Sequence, residues 1–166
     1  MPGTPDPVLG SDPLTLVVAG ALSILVIGSF ASLVSRSEMS AILLAGIGAA
    51  GYGLFATGVW ASVRRGFGHI TLDPMAEPLA FASLILLAGG LLGVQAAIPF
   101  FLYARSGFLA PMVGFAAIST LLLFLFLRVG GETDPLALFG FGFAPFFLGG
   151  LLALAALEAG VRYVVN

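Results

Sequence analysis

Residues 79–103 read LAFASLILLAGGLLGVQAAIPFFLY, 25 consecutive positions without a charged side chain. A helix of that length rises about 37 Å at 1.5 Å per residue, more than the roughly 30 Å hydrocarbon core of a bilayer. Its apolar positions are not confined to a stripe at three-to-four spacing, so such a helix is apolar all round and suits hydrocarbon rather than water.

The same reading extends in both directions. Charge-free stretches cover 14–34, 41–63, 108–127 and 136–157, which are 21, 23, 20 and 22 residues long. Each is long enough to cross a bilayer as a helix. Barrel strands would run about 10 residues and alternate apolar with polar, and no such alternation occurs. The expected fold is an all-α integral membrane protein, a bundle of about five transmembrane helices forming a single domain over 14–166 behind a short Pro-rich tail at 1–13.

Composition agrees. Charged residues make up 8% of the 166-residue chain and hydrophobic ones 60%, whereas a soluble domain carries about 25% charged residues. Cysteine is absent, which excludes disulfides, thiolate nucleophiles and thiolate metal sites. Lysine is absent too, so all six basic residues are arginines, outnumbered by eight acidic ones. With the Ala, Gly, Val and Leu bias, this points to a GC-rich, halophilic and archaeal kind of source. The first thirteen residues hold four prolines and two aspartates but no basic residue, unlike the cationic start of a secretory signal. The first span is therefore expected to stay in the mature protein.

Asp-Pro pairs recur at Asp12-Pro13, Asp73-Pro74 and Asp134-Pro135, 61 residues apart each time. Asp is a good helix cap and Pro suits the first helical position, so Asp12 and Asp134 are expected to open spans one and five. Gly-Gly-Leu-Leu also recurs, at 89–92 and 149–152. Either these are relics of a repeated two-helix hairpin, or capped, Gly-rich spans simply resemble one another. Arg64, Arg65 and Arg128 on one face balance Arg36, Arg105 and Arg162 on the other. The unbasic start followed by Arg36 favours an outside N-terminus and a cytoplasmic C-terminus.

Small residues at four-residue spacing mark helix faces that can approach closely in lipid. They are Ala45, Ala49, Gly53 and Thr57 in span two, Gly89, Gly93 and Ala97 in span three, and Gly149 and Ala153 in span five. Those three spans are expected to form the tight centre. Pro99 and Pro145 lie inside spans three and five, where each removes a helical hydrogen bond.

Gly46-Ile47-Gly48-Ala49-Ala50-Gly51 is a literal GxGxxG. With 41–44 as a first strand, 69–72 as a second and Asp73 at the ribose, residues 41–73 resemble a dinucleotide-binding fingerprint. That resemblance implies a membrane oxidoreductase, but the context opposes it. A Rossmann unit needs further strands, and here one uncharged span precedes the motif and three follow. The glycines are expected to serve helix packing.

His69 is the only histidine and stands in the 64–78 loop, so it supplies no pair of axial haem ligands. No HExxH, Walker loop or GxSxG elbow occurs. No metal, cofactor, catalytic residue or nucleic-acid partner is implied. Gln95 is the only amide side chain within a span, and Pro99 and Tyr103 share its helix face. Glu158 and Arg162 stand four apart in the favourable order for a helix, near the exit of span five. Gln95, Tyr103, Glu158 and Arg162 are thus candidates for a polar pathway; alternatively, Gln95 makes an interhelical bond and Glu158 pairs with Arg162 at the interface.

The leading functional expectation is a structural or accessory subunit, not an enzyme, that packs with other membrane helices in a homo- or hetero-oligomer. A small transporter or channel component is the alternative. An odd number of spans puts the chain ends on opposite sides, so reporter tags fused at the two termini should show opposite accessibility in intact membranes. Matching accessibility would rule out five crossings.

Overall fold

The structure, a computed structural model, describes residues 6–68, 75–130 and 134–165. His69 and Asp73 lie outside them. The described chain is an all-α membrane bundle, with four long apolar helices and one shorter one. They are α1 (Asp12–Arg36), α2 (Ala41–Gly66), α3 (Pro78–Ser106), α4 (Ala110–Phe126) and a fifth rod made of α5 (Pro135–Leu138), a π-helical turn (Phe139–Phe143) and α6 (Ala144–Val165). Successive rods alternate in direction. The ends of α2 and α4 and the starts of α3 and α5 therefore share one face of the bundle with the start of α1, while turns 37–40 and 107–109 share the other with the end of α6.

Local chemistry sets the helix ends. Ser40 caps α2 by accepting from the Leu43 amide, and Asp134 caps α5 by accepting from Leu136 and Ala137. The cap of α1 is Ser11, not Asp12: the Ser11 hydroxyl accepts from the Leu14 amide at 3.4 Å. Asp12 falls one place later, in the first turn, where its charge still favours the positive end of the helix dipole. α3 closes on Gly107, whose φ of 64° is left-handed and suits a residue without Cβ.

The most extensive helix contact is between α2 and α3, which run antiparallel with their small residues in register. A Cβ placed on Gly53 would stand 2.6 Å from the Gly89 carbonyl oxygen, and one on Gly93 would stand 3.2 Å from that of Ala49. Thr57 completes the seam, its methyl 3.2 Å from a Cβ on Gly89, while its hydroxyl donates to the Gly53 carbonyl at 2.6 Å. α1 lies chiefly on α4, and α4 and α3 carry the fifth rod.

That arrangement corrects the expected centre. Gly149 and Ala153 are exposed on the outer face of α6, and among the described residues nothing beyond the local helix backbone lies within 4 Å of a Cβ on Gly149. The buried and half-buried side of α6 runs through Ala144, Phe147, Leu151, Leu154 and Glu158, at spacings of three and four that mark one helix face. Leu154 instead packs over Gly114 of α4.

An aromatic chain crosses the interior. Phe30 of α1 stacks on Phe100 of α3 with centroids 3.9 Å apart, and Phe115 of α4 meets both Phe100 and Tyr52 edge-on. Ser119 donates to the Tyr52 hydroxyl oxygen at 2.9 Å. Gly48 lies beneath this stack, since a Cβ there would reach within 2.7 Å of both Phe30 and Phe100.

One short strand pair joins the helices. Asp6–Pro7 (β1) pairs antiparallel with Arg128–Val129 (β2), and the Val8 amide donates to the Leu127 carbonyl. The N-terminal segment is thereby tied to the end of α4.

The α2–α3 seam has a direct test. Because Gly53 faces backbone that cannot rotate aside, Gly53→Ala should destabilise the protein in detergent by about 1–3 kcal/mol. Gly58 lies on the exposed side of α2 with open space at its Cβ position. Gly58→Ala should gain roughly 0.5–1 kcal/mol from the lost chain freedom of glycine. Equal stabilities of the two variants in a detergent unfolding series would dismiss the seam.

Candidate functional site

Three polar constellations stand out against the apolar bulk. The first closes the face where α1 begins. Trp60 and Arg64, one turn apart on α2, both reach Asp134 at the head of the fifth rod. The indole N–H donates to Asp134 Oδ1 at 3.1 Å, and Arg64 Nε approaches Oδ2 at 3.4 Å, an ionic contact without hydrogen-bond geometry. Arg64 also donates to the Arg128 carbonyl at 2.9 Å, while Arg128 pairs with Asp12 at 3.3 Å. The Arg64 and Asp134 side chains are only 5% and 10% exposed. Removing one partner from a buried pair leaves an uncompensated charge and costs about 3–5 kcal/mol. The group thus fastens α2, α4 and the fifth rod together.

The second constellation closes the opposite face. Glu158 accepts from the Leu109 and Ala110 amides at 2.9 and 2.7 Å, which caps α4 from another helix. Leu109, the residue at the cap position, has no side chain able to do this. Arg162 holds Glu158 at 2.6 Å and donates to the Ser106 and Gly107 carbonyls, each at 2.7 Å. Its guanidinium also lies over the Phe108 ring. One acid therefore satisfies free amides at the start of α4, and its basic neighbour satisfies carbonyls where α3 ends. These are the groups that helix ends leave orphaned.

The third constellation is internal. Gln95 is fully buried, and neither its amide nitrogen nor its oxygen has a hydrogen-bond partner among the described residues. Pro99, four residues on, has no N–H to give to the Gln95 backbone carbonyl. Leu91, one turn before Gln95 on the same face, reaches 3.9 Å from a Cβ on Gly140 in the π-helical turn. α3 and the fifth rod run the same way, so Gln95 stands level with the end of that turn. There the Ala144 amide bonds back to Phe139, and Pro145 again lacks a donor. A π turn between two prolines and a buried amide is a departure from regular helix of the kind found at functional sites. Tyr103 is half-buried beside Phe30, at the far end of this face.

The polar-pathway candidates therefore separate. Glu158 and Arg162 come together in the clamp at one surface, whereas Gln95 stays alone in the interior and Tyr103 lies between them. The Asp134–Arg64–Trp60 group was not a sequence candidate, because its partners lie 70 or more residues apart. The GxGxxG residues lie wholly within α2, with no loop to cradle a phosphate. Gly46 and Gly51 have open space beside them, so of its glycines only Gly48 packs tightly. Among the described residues no cluster of His, Asp and Glu is placed to hold a metal.

An unpartnered buried amide weighs against the fold. Gln95→Met, close in volume but apolar, should raise stability in detergent by about 1–3 kcal/mol, the desolvation penalty of such a group. A loss of stability would mean that the amide has a partner in the folded protein. Comparison of the chain with known protein families, with curated proteins and with solved structures finds no match, so the functional reading rests on the geometry.

Proposed function

We propose that this chain is a non-enzymatic structural subunit of a membrane assembly, packing against further transmembrane helices and requiring no cofactor. The observation that carries the reading is the outer face of α6. Gly149, Ala153 and Gly160 are exposed on it, and among the described residues nothing beyond the local helix backbone lies within 4 Å of a Cβ on either glycine. Small residues at such spacing let helix backbones approach in lipid, where little hydrophobic drive is left to join helices. α2 and α3 use this device on each other; α6 carries it outward. The occupied charges support the same reading, since Glu158 and Arg162 hold the ends of α4 and α3. On this reading the N-terminus lies outside and the C-terminus in the cytoplasm.

A second reading, a small transporter or channel component, is favoured by Gln95 alone. It requires the buried amide, with Tyr103 and the Glu158–Arg162 pair further along, to exchange partners during a transport cycle.

The readings part on assembly. Protein extracted from its own membrane in mild detergent should run well above the mass of one chain. The double substitution Gly149→Leu with Ala153→Leu should reduce it to the single-chain mass with unchanged helix content by circular dichroism. A wild type that already runs as a single chain, or a double variant that keeps the large assembly, would overturn the subunit reading.

A further inference from the structure

α1 and α2 are consecutive, yet their outer halves stand apart. Between them opens a groove of about 390 Å3, facing the bilayer and lined by Leu22, Leu25, Ser29 and Leu33 of α1 and by Gly51 and Phe55 of α2. Phe30, wedged against Phe100, holds α1 off its neighbour and forms part of the floor.

The length and position of the groove are informative. From Leu22 to Leu33 is about 16 Å of helix. That is close to half of the roughly 30 Å hydrocarbon core, the depth of a single leaflet. α1 runs from Asp12 to Arg36, so its midpoint falls at Ile24. The groove therefore starts near the bilayer centre and ends where α1 leaves the membrane. The residue at that exit is Arg36, in the last helical turn, exposed and without an ion-pair or hydrogen-bond partner among the described residues. The four-then-three spacing of Ser29, Leu33 and Arg36 puts the guanidinium on the same helix face as the groove, one turn beyond its mouth.

We infer that the α1–α2 groove is a binding site for one acyl chain of an anionic phospholipid from this leaflet, with Arg36 pairing the headgroup phosphate. An apolar channel of leaflet depth with a lone arginine at the interface matches the layout of a phospholipid, tail inward and phosphate outward. Arginine suits the phosphate because its planar fork can donate two parallel bonds. Glu38, just past the Ser37 end cap, is the nearest opposing charge in sequence; it is exposed and forms no ion pair with Arg36 among the described residues. Gly51 is what leaves the groove open, because a side chain there would meet nothing within 4 Å and would extend into the space. This site and the outward face of α6 lie on different helices, so neither inference depends on the other.

The test reconstitutes full-length protein in nanodiscs of phosphatidylcholine with a minor fraction of phosphatidylglycerol. The lipid retained after a mild detergent wash is then counted by native mass spectrometry. Wild type should keep phosphatidylglycerol in preference to phosphatidylcholine, whose choline cancels its phosphate charge, by about fivefold, the effect of one basic residue near a headgroup of net negative charge. Arg36→Gln should retain lipid but lose the preference. Gly51→Leu should reduce retention of both lipids at least about tenfold, a difference of 1.4 kcal/mol in binding, while Gly58→Leu, outside the groove, should leave it unchanged. If Gly51→Leu does not elute as folded protein, Leu25→Trp fills the same space from α1. Retention in the filled-groove variant equal to that of Gly58→Leu would overturn the inference. So would a preference that survives Arg36→Gln, or a wild type seen only as a lipid-free pair of chains.

Discussion

The contact of Gly53 with the Gly89 carbonyl is the constraint on which the remaining architecture depends. In hydrocarbon, helices gain little by hiding apolar surface from one another, because lipid tails are equally apolar. What remains is dispersion, which needs atoms close together. Two helices can approach to backbone distance only if side chains are missing where they cross. The α2–α3 seam meets that condition along one register: Ala49 with Gly93, then Gly53 and Thr57 with Gly89. Once these two helices are fixed, Phe100 on α3 presents its ring beside α2 at Gly48, and the stack through Phe30 and Phe115 brings in α1 and α4.

The bundle's charged groups complete it at the surfaces. A membrane helix must satisfy its end amides and carbonyls somewhere, and here the satisfying groups come from other helices. Glu158 caps α4, and Arg162 serves the end of α3. Asp134 caps its own helix while holding Trp60 and Arg64 of α2. Each contact therefore has two consequences, since it ends a helix correctly and fixes its position against a neighbour. Inside, the Thr57 and Ser119 hydroxyls are bonded, whereas the buried Gln95 amide has no partner among the described residues.

The helices were legible because uninterrupted runs without charge admit few other structures, and the lone amide of Gln95 was visible for the same reason. Directions were harder to read. Stripes of small residues on α2, α3 and α6 look alike in one dimension, yet two of them face each other and the third faces outward. Nothing in residues 149–153 tells inside from outside; that depends on which side of α6 meets α4, and so on Leu151 and Leu154. The choice of Ser11 over Asp12 as the cap was likewise undecided locally, since both residue types cap well. Pairs far apart in sequence, such as Arg64 with Asp134, left no local trace at all.

The pairing of β1 with β2 has a consequence for the order of assembly. Asp6 meets Val129, and Asp12 meets Arg128 across 116 positions. A chain threaded into the membrane from its N-terminus can make the α2–α3 seam as soon as α3 has entered. The N-terminal strand must wait until α4 has crossed and its end has returned to the same face. Contacts with such long loops are entropically slow to close. A segment that precedes all five helices is thus among the last to find its place.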